Sequence, residues 1–293
     1  MARLLIVDGH AYAYRAFHAI RELRGPDGRA TNAIYGFAKM LEKMRQALEP
    51  SHVTVVWDGG LSAERMAALP EYKQQRPEMP ADLKPQFDEI SAYLAAIGVA
   101  EICQEGIEAD DIIASLARRE AAVGLPVVIA SADKDFMQLV AARIGLLNPN
   151  DKSGAIWTDE QVRAKTGVEP GQVADWLALM GDAVDNIPGV PGVGPKTAAG
   201  LLQQFGSLDV LFGRLDEVKS ERLRNSLQAA AADVRRNLAL VRLHDVPLNL
   251  TANELLPKPV NREMLAKLLQ GWGFRGMLAS LEAAPLEQQQ TLI

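Results

Sequence analysis

The sequence predicts an α/β fold with a mostly parallel central sheet, followed by a second, helical part. Three observations predict it. Short apolar runs alternate with segments of helical periodicity, three of those runs lead into aspartates, and after about residue 158 the strand-like runs stop while helical patterns continue.

Taken in order, "RLLIV" (3–7) ends at Asp8-Gly9 and "HVTVVW" (52–57) at Asp58-Gly59-Gly60. "PVVIAS" (126–131) leads into Ala132-Asp133, and "RIGLLNP" (143–149) supplies a fourth run. Continuous apolar runs of this kind suit strands covered on both faces. Between them, "AIYGFAKMLEKMRQAL" (33–48) places Ile34, Phe37, Met40, Leu41, Met44 and Leu48 on one helix face. "DDIIASLARREAAVG" (110–124) does the same with Ile112, Ile113, Leu116 and Ala117, and closes on Gly124. Residues 61–87 differ: they carry Pro70, Pro77, Pro80 and Pro85 with Arg65, Lys73, Arg76 and Lys84, and apolar anchors are few. This stretch reads as a long, mobile excursion from the core. Beyond it, "TDEQVRAKTG", "PGQVADWLALMG", "PKTAAGLLQQFG" and the segments up to about 281 read as helices. The expected division is an α/β part over 1–168, a helical part over 169–281, and a polar tail or linker over 282–293.

Composition narrows the class. Hydrophobic residues make up 48% of the 293, enough for a sizeable core. No run of eighteen apolar residues occurs and the N-terminus lacks signal-peptide features, so a cytoplasmic location is expected. The single cysteine, Cys103, excludes an internal disulfide framework, and its neighbours "VAEICQE" suggest a buried strand thiol without a role. A net charge of −6 by itself argues weakly against a nucleic-acid partner, but the placement of the acids matters more than their sum.

"GDAVDNIPGVPGVGPKTA" (181–198) invites comparison with a phosphate-binding P-loop, because Gly189 and Gly194 have its glycine spacing. Pro195 stands between Gly194 and Lys196, however. Proline has no N–H to aim at a phosphate, and the preceding "LALMGDAVDN" looks helical rather than strand-like.

The acids are the stronger signal. Asp8, Asp58 and Asp133, with Asp135 two residues on, follow strands whose carboxyl ends share one sheet edge, where ligands of such folds bind. "GIEADDII" adds Glu108, Asp110 and Asp111, with Glu108 and Asp111 spaced to share a helix face. Asp182 and Asp185 add a second pair three apart. Singly, each reads first as turn or N-cap chemistry. Jointly, nine carboxylates on one edge would repel unless cations neutralised them. All-oxygen ligands select Mg²⁺ or Mn²⁺, whereas four histidines and no thiolate pair argue against zinc. Two Mg²⁺ ions in such a pocket suit phosphodiester hydrolysis.

The chain resembles the bacterial and phage 5′-nucleases, the flap endonuclease superfamily, and is most similar to the 5′→3′ exonuclease domain of bacterial DNA polymerase I. The residues that carry the resemblance are "LLIVDGHAYAYRAFHA", "TNAIYGF", "VVWD", "LPEYKQQRPEMP", "EADDIIASLA", "SADKDFMQL" and "LMGDAVDNIPGVPGVGPKTA", in order from about residue 3. It implies a PIN-like, Rossmann-like nuclease core, a helical arch at about 61–87, and a helix–hairpin–helix within a helix-3-turn-helix part, at about 187–206. One metal group would comprise Asp8, Asp58, Glu108, Asp110 and Asp111, and the other Asp133, Asp135, Asp182 and Asp185. Lys73 and Arg76 match the arch's basic motif and would contact the scissile phosphate. Tyr72 would stack on a base, and Arg15 would meet a phosphate or substrate end. Gly189, Gly192, Gly194, Lys196 and Thr197 would line the hairpin's approach to the duplex backbone, with K⁺ left open there. Pro195 suits the first position of the following helix. The implied activity is Mg²⁺-dependent 5′→3′ exonuclease and 5′-flap endonuclease action on DNA by a monomer, with sequence-independent binding. Two other classes stay open: a non-catalytic structure-specific DNA-binding module, and a PIN-type ribonuclease.

Overall fold

The computed structural model describes residues 2–283. Its α/β part runs β1 (Leu4–Asp8), α1 (Gly9–Ala19), α2 (Asn32–Leu48), β2 (His52–Val56), α3 (Ala63–Ala68), α4 (Lys84–Ala96), β3 (Ala100–Ile102), α5 (Ala109–Ala122), β4 (Val127–Ala130), β5 (Ile144–Leu147) and β6 (Ile156–Trp157). The helical part follows as α6 (Asp159–Thr166), α7 (Val173–Met180), the two-stranded ribbon β7 (Gly181–Asp182) and β8 (Ile187–Pro188), then α8 (Pro195–Phe205), α9 (Leu208–Gly213), α10 (Glu221–Ala229), α11 (Ala231–Val241), α12 (Arg262–Trp272) and α13 (Arg275–Ala283). The residues 284–293 of the expected tail lie outside those described.

The sheet order is β3-β2-β1-β4-β5-β6, parallel except for β6. Strand order reverses between β1 and β4, so a crevice opens beyond the carboxyl ends of those two strands. Side chains of β1 alternate between two cores, because a strand's side chains point to opposite faces. Leu4 and Ile6 join a cluster with α5 and helices of the second part, while Leu5 and Val7 join one with α1, α2 and α4. The second cluster also takes Leu265, Leu269, Trp272 and Phe274. The final helices thus return to the α/β part and cover its opposite face.

Two expectations are corrected. Cys103 is exposed, because β3 ends one residue before it and the chain turns outward there. Residues 61–87 are not a loosely anchored excursion: Arg65, Leu69, Tyr72, Lys73 and Leu83 are all buried. Its longest continuous exposed run is 74–78.

Candidate active site

Asp8 ends β1 and caps α1, with one oxygen accepting from the Ala11 N–H at 3.1 Å. Its other oxygen accepts from the Ser131 hydroxyl at 2.7 Å, and the same hydroxyl accepts from the Asp133 N–H. A fully buried serine thus joins the ends of β1 and β4 across the crevice. Asp133 in turn accepts from the Asp135 N–H at 2.9 Å, which starts a 3₁₀ turn over Lys134–Leu139. Glu108 is the N-cap residue of α5, and Asp110 lies in its first turn.

Burial and mutual repulsion act on these acids together. Asp8 is pushed up to about 6, first by burial and then by Asp133 and Asp58, against its two hydrogen bonds. Burial, Asp133, Asp8 and Glu108 push Asp110 well above the usual carboxylate range. Burial, Asp133, Asp110, Asp182 and Asp185 do the same to Asp135. Asp133 is raised by burial and by Asp185 and Asp182. Carboxylates from both parts of the chain therefore share one low-dielectric pocket.

Lys73, Arg76 and Lys134 meet this pocket, with Arg65 behind Glu108. The Lys73 ammonium hydrogen-bonds Glu108 and stands 4.0 Å from Asp185. Arg76 donates to Asp185 at 2.7 Å, and Lys134 lies 2.9 Å from Asp182. Burial alone would raise Glu108, but the Lys73 ammonium and then Arg65 bring it below its ordinary value. Burial opposes the charge on Lys73, yet the surrounding acids raise its pKa above the ordinary value.

Two of the expected site residues face elsewhere. Asp111 is held by Arg65 in a bidentate pair at 2.8 and 2.9 Å and accepts from the His244 N–H at 2.9 Å, so its carboxylate is directed at α3 and the end of α11. Adjacent positions on a helix differ by about 100°, which sends Asp110 to the pocket and Asp111 away from it. Tyr72 is 3% exposed and its hydroxyl donates to Glu108, so its ring is not presented to a base. Asp58 lies at the rim: its N–H donates to His10 Nδ1, and its side chain accepts from the Gly60 N–H. Arg15 is joined to the 149–150 turn through the Pro149 carbonyl and Asn150.

The base of the 61–87 segment is tied to the loop between β7 and β8. The Lys73 N–H donates to the Asp185 carbonyl, and Asn186 donates to the Glu71 carbonyl. Lys73 and Asn186 both adopt left-handed backbone, at φ 56° and 59°. That is an unfavoured conformation for lysine and a tolerated one for asparagine. Asn237, 1% exposed, donates to the Ala178 and Pro188 carbonyls and so fixes the far side of the same loop.

The hairpin splits by role. Gly192, at φ 84°, and Gly194 have open space where a Cβ would stand, and Lys196 is exposed beside them at the start of α8. Thr197 follows at half-burial. Gly189 departs from the expectation. A Cβ there would lie 2.1 Å from the Met180 carbonyl oxygen, so this glycine serves close packing against the end of α7.

Sequence reasoning passed over Arg65, Ser131, Lys134, Asn186 and Asn237. Only Lys134 and Asn186 carried a local signal, each standing beside an acid already singled out.

The donor set suits a hard divalent cation in its chemistry: every candidate ligand is a carboxylate, and Asp135 Oδ1 is buried without a hydrogen-bond partner. As the side chains stand, no three Asp, Glu, His or Cys groups among the described residues are arranged to hold a metal ion. Lys73, Arg76 and Lys134 occupy Glu108, Asp185 and Asp182 instead.

Residues 3–167 match the family model of the 5′-3′ exonuclease N-terminal resolvase-like domain, and residues 168–263 that of the 5′-3′ exonuclease C-terminal SAM fold. A 5′-3′ exonuclease of Aquifex aeolicus is 37% identical, covering 96% of this chain and 96% of its own. DNA polymerase I of Pseudomonas aeruginosa is 41% identical over 96% of this chain, which spans only 31% of that protein. The solved structure of the bacteriophage T5 D15 flap endonuclease, in a complex with DNA and metal ions, superposes with a TM-score of 0.69 at 22% identity, covering 92% of this chain and 99% of its own. At that identity the likeness establishes the fold. The two matched domains, and relatives that align along nearly the whole chain, place it in the 5′-3′ exonuclease family.

Proposed function

We propose that the chain hydrolyses DNA from 5′ ends and at 5′ flaps, using two Mg²⁺ ions for which Mn²⁺ can substitute. The observation that carries this reading is the convergence, in one buried pocket, of acids from the strand ends, from α5 and from the β7–β8 loop, with Lys73 and Arg76 at its wall. Asp8, Asp58, Glu108 and Asp110 would hold one ion, and Asp133, Asp135, Asp182 and Asp185 the other. When bound, the ions lower the pKa of a water and stabilise the leaving 3′ oxygen. The protein's own part is to hold the phosphodiester. Lys73 and Arg76 turn from Glu108 and Asp185 to the scissile phosphate and stabilise the charge that develops on it. Gly192, Gly194 and Lys196 grip the duplex backbone without reading sequence, and K⁺ can bridge that hairpin to a phosphate. The exposed stretch 74–78 would border the path of an unpaired 5′ strand.

The protein would act as a monomer in the cytoplasm, in primer removal and repair. Its nuclease core would comprise 1–168 and its DNA-gripping part 169–281. The test is a 5′-flap DNA labelled at its 3′ end, incubated with the chain in Mg²⁺ and in EDTA. Cleavage near the junction in Mg²⁺ alone is expected. Tight flap binding with no cleavage in Mg²⁺ or Mn²⁺ would make the chain a structure-specific binder. Preferential cleavage of a matched RNA would make it a ribonuclease.

A further inference from the structure

We infer that Arg65 is a positioning residue, a buried joint that sets Glu108 and Lys73 by locking the foot of the 61–87 segment to both parts of the chain. This rests on the nuclease reading above for its kinetic consequence, but not for its structural one. Arg65 is 4% exposed and lies in α3. Its guanidinium reaches from α3 to two other elements at once. It forks onto Asp111 of α5 and donates to the Leu240 and Arg242 carbonyls at the end of α11, at 3.0 and 3.1 Å. It also lies 3.5 Å from Glu108 Oε1. The other Glu108 oxygen takes the Lys73 ammonium and the Tyr72 hydroxyl. Acids and bases thus alternate from Asp111 through Arg65, Glu108, Lys73 and Asp185 to Arg76, and Arg65 joins the Asp111 end to the pocket.

The planar fork matters more than the charge. Only a guanidinium can serve a bidentate carboxylate and two carbonyls in one plane, and a lysine would offer a point charge to one of them. If Arg65 merely neutralised Asp111, removing both charges together would be harmless, since a buried ion pair is often replaceable by apolar groups of similar volume. If it positions the pocket, the same replacement should keep the fold and lose the geometry.

The test compares wild type with Arg65→Lys and with Arg65→Met/Asp111→Leu. It reads Tm, amide hydrogen exchange, and kcat and KM on 5′-flap DNA. In whichever variant holds a Tm near wild type, amides 62–73 should exchange about tenfold faster while β1 and β4 keep their protection. In the same variant kcat should fall about 30-fold or more with KM within about threefold, as when a group that acts in the transition state, here Lys73, is displaced. Unchanged exchange over 62–73, or wild-type kcat in the double variant, would overturn the inference. If wild type itself cleaves nothing, the nuclease reading has failed, and hydrogen exchange alone still decides the role of Arg65. If both variants lose Tm heavily, Arg65→Gln joined with Asp111→Asn gives the same readouts with the charges removed and polar contacts kept.

Discussion

Lys73 is bound to Asp185 twice: its backbone N–H donates to the Asp185 carbonyl at 3.1 Å, and its ammonium stands 4.0 Å from the Asp185 carboxylate. Arg76 reaches the same carboxylate from the exposed side. The two cations therefore differ in what they hold up. Lys73→Met should destabilise the fold by about 3–5 kcal/mol, because it leaves Glu108 buried without its ammonium. Arg76→Ala, whose side chain is 44% exposed, should cost no more than about 1 kcal/mol. Both should lower kcat on flap DNA. Urea unfolding beside single-turnover cleavage checks the contrast, and a Lys73→Met loss of no more than about 1 kcal/mol would show that the buried ammonium does not hold the fold.

Asp182 ends β7 and Asp185 lies in the loop that follows it, so both come to the pocket from the helical part of the chain. Asp182→Ala together with Asp185→Ala should reduce cleavage by about a hundredfold or more, the scale for removing preorganised charge from a catalytic site. Binding of flap DNA, measured in EDTA by fluorescence anisotropy, should change little, since the hairpin and its Lys196 are untouched. Parallel loss of binding and cleavage would assign these acids to DNA grip.

The hairpin glycines should separate fold from contact. Gly189→Ala drives a methyl against the Met180 carbonyl and should lower Tm sharply. Gly192→Ala meets no neighbour but must hold φ 84°, at a cost of roughly 1–2 kcal/mol. Thermal unfolding ranks them, with Gly189→Ala the more damaging. Gly194→Ala, in open space and without a positive φ, should leave Tm near wild type.

The sequence announced the site where chemistry and local order coincide. An aspartate at the end of an apolar run is readable because the run predicts the strand and parallel strands share an edge. The strands β3 and β6, three and two residues long, were too short to show a period. Whether Asp110 or Asp111 faces the pocket depends on Arg65, 46 positions before Asp111, and no local pattern reports that pairing. That Tyr72 and Lys73 are buried was not legible, because their burial comes from Glu108 and the β7–β8 loop. The proline-rich stretch around them predicts a loop but does not say what the loop lies against.

Asp8 links the pocket to pH. Its pKa rises from 3.8 to about 6 on folding, so the native state binds its proton more tightly than the unfolded chain does. Stability from Asp8 is then greatest below pH 4 and is lost as pH rises through about 6, a change of roughly 3 kcal/mol for a shift of that size. Asp110, Asp133 and Asp135 act in the same direction. Glu108 acts oppositely, but its contribution is lost only once pH falls below its ordinary 4.5. His10, lowered by burial, also opposes them, losing stability below its ordinary 6.5. The difference between wild type and Asp8→Asn isolates the aspartate from both. In EDTA, the asparagine variant should gain Tm relative to wild type as pH rises from 5 to 7.5, because it has no charge to bury. Adding millimolar Mn²⁺ at pH 7.5 should raise the wild-type Tm and raise that of the variant less, since a bound cation removes the repulsion that Asp8 contributes. A wild-type Tm indifferent to Mn²⁺, with the pH difference intact, would leave the acids repelling as described and would refute cation binding at Asp8.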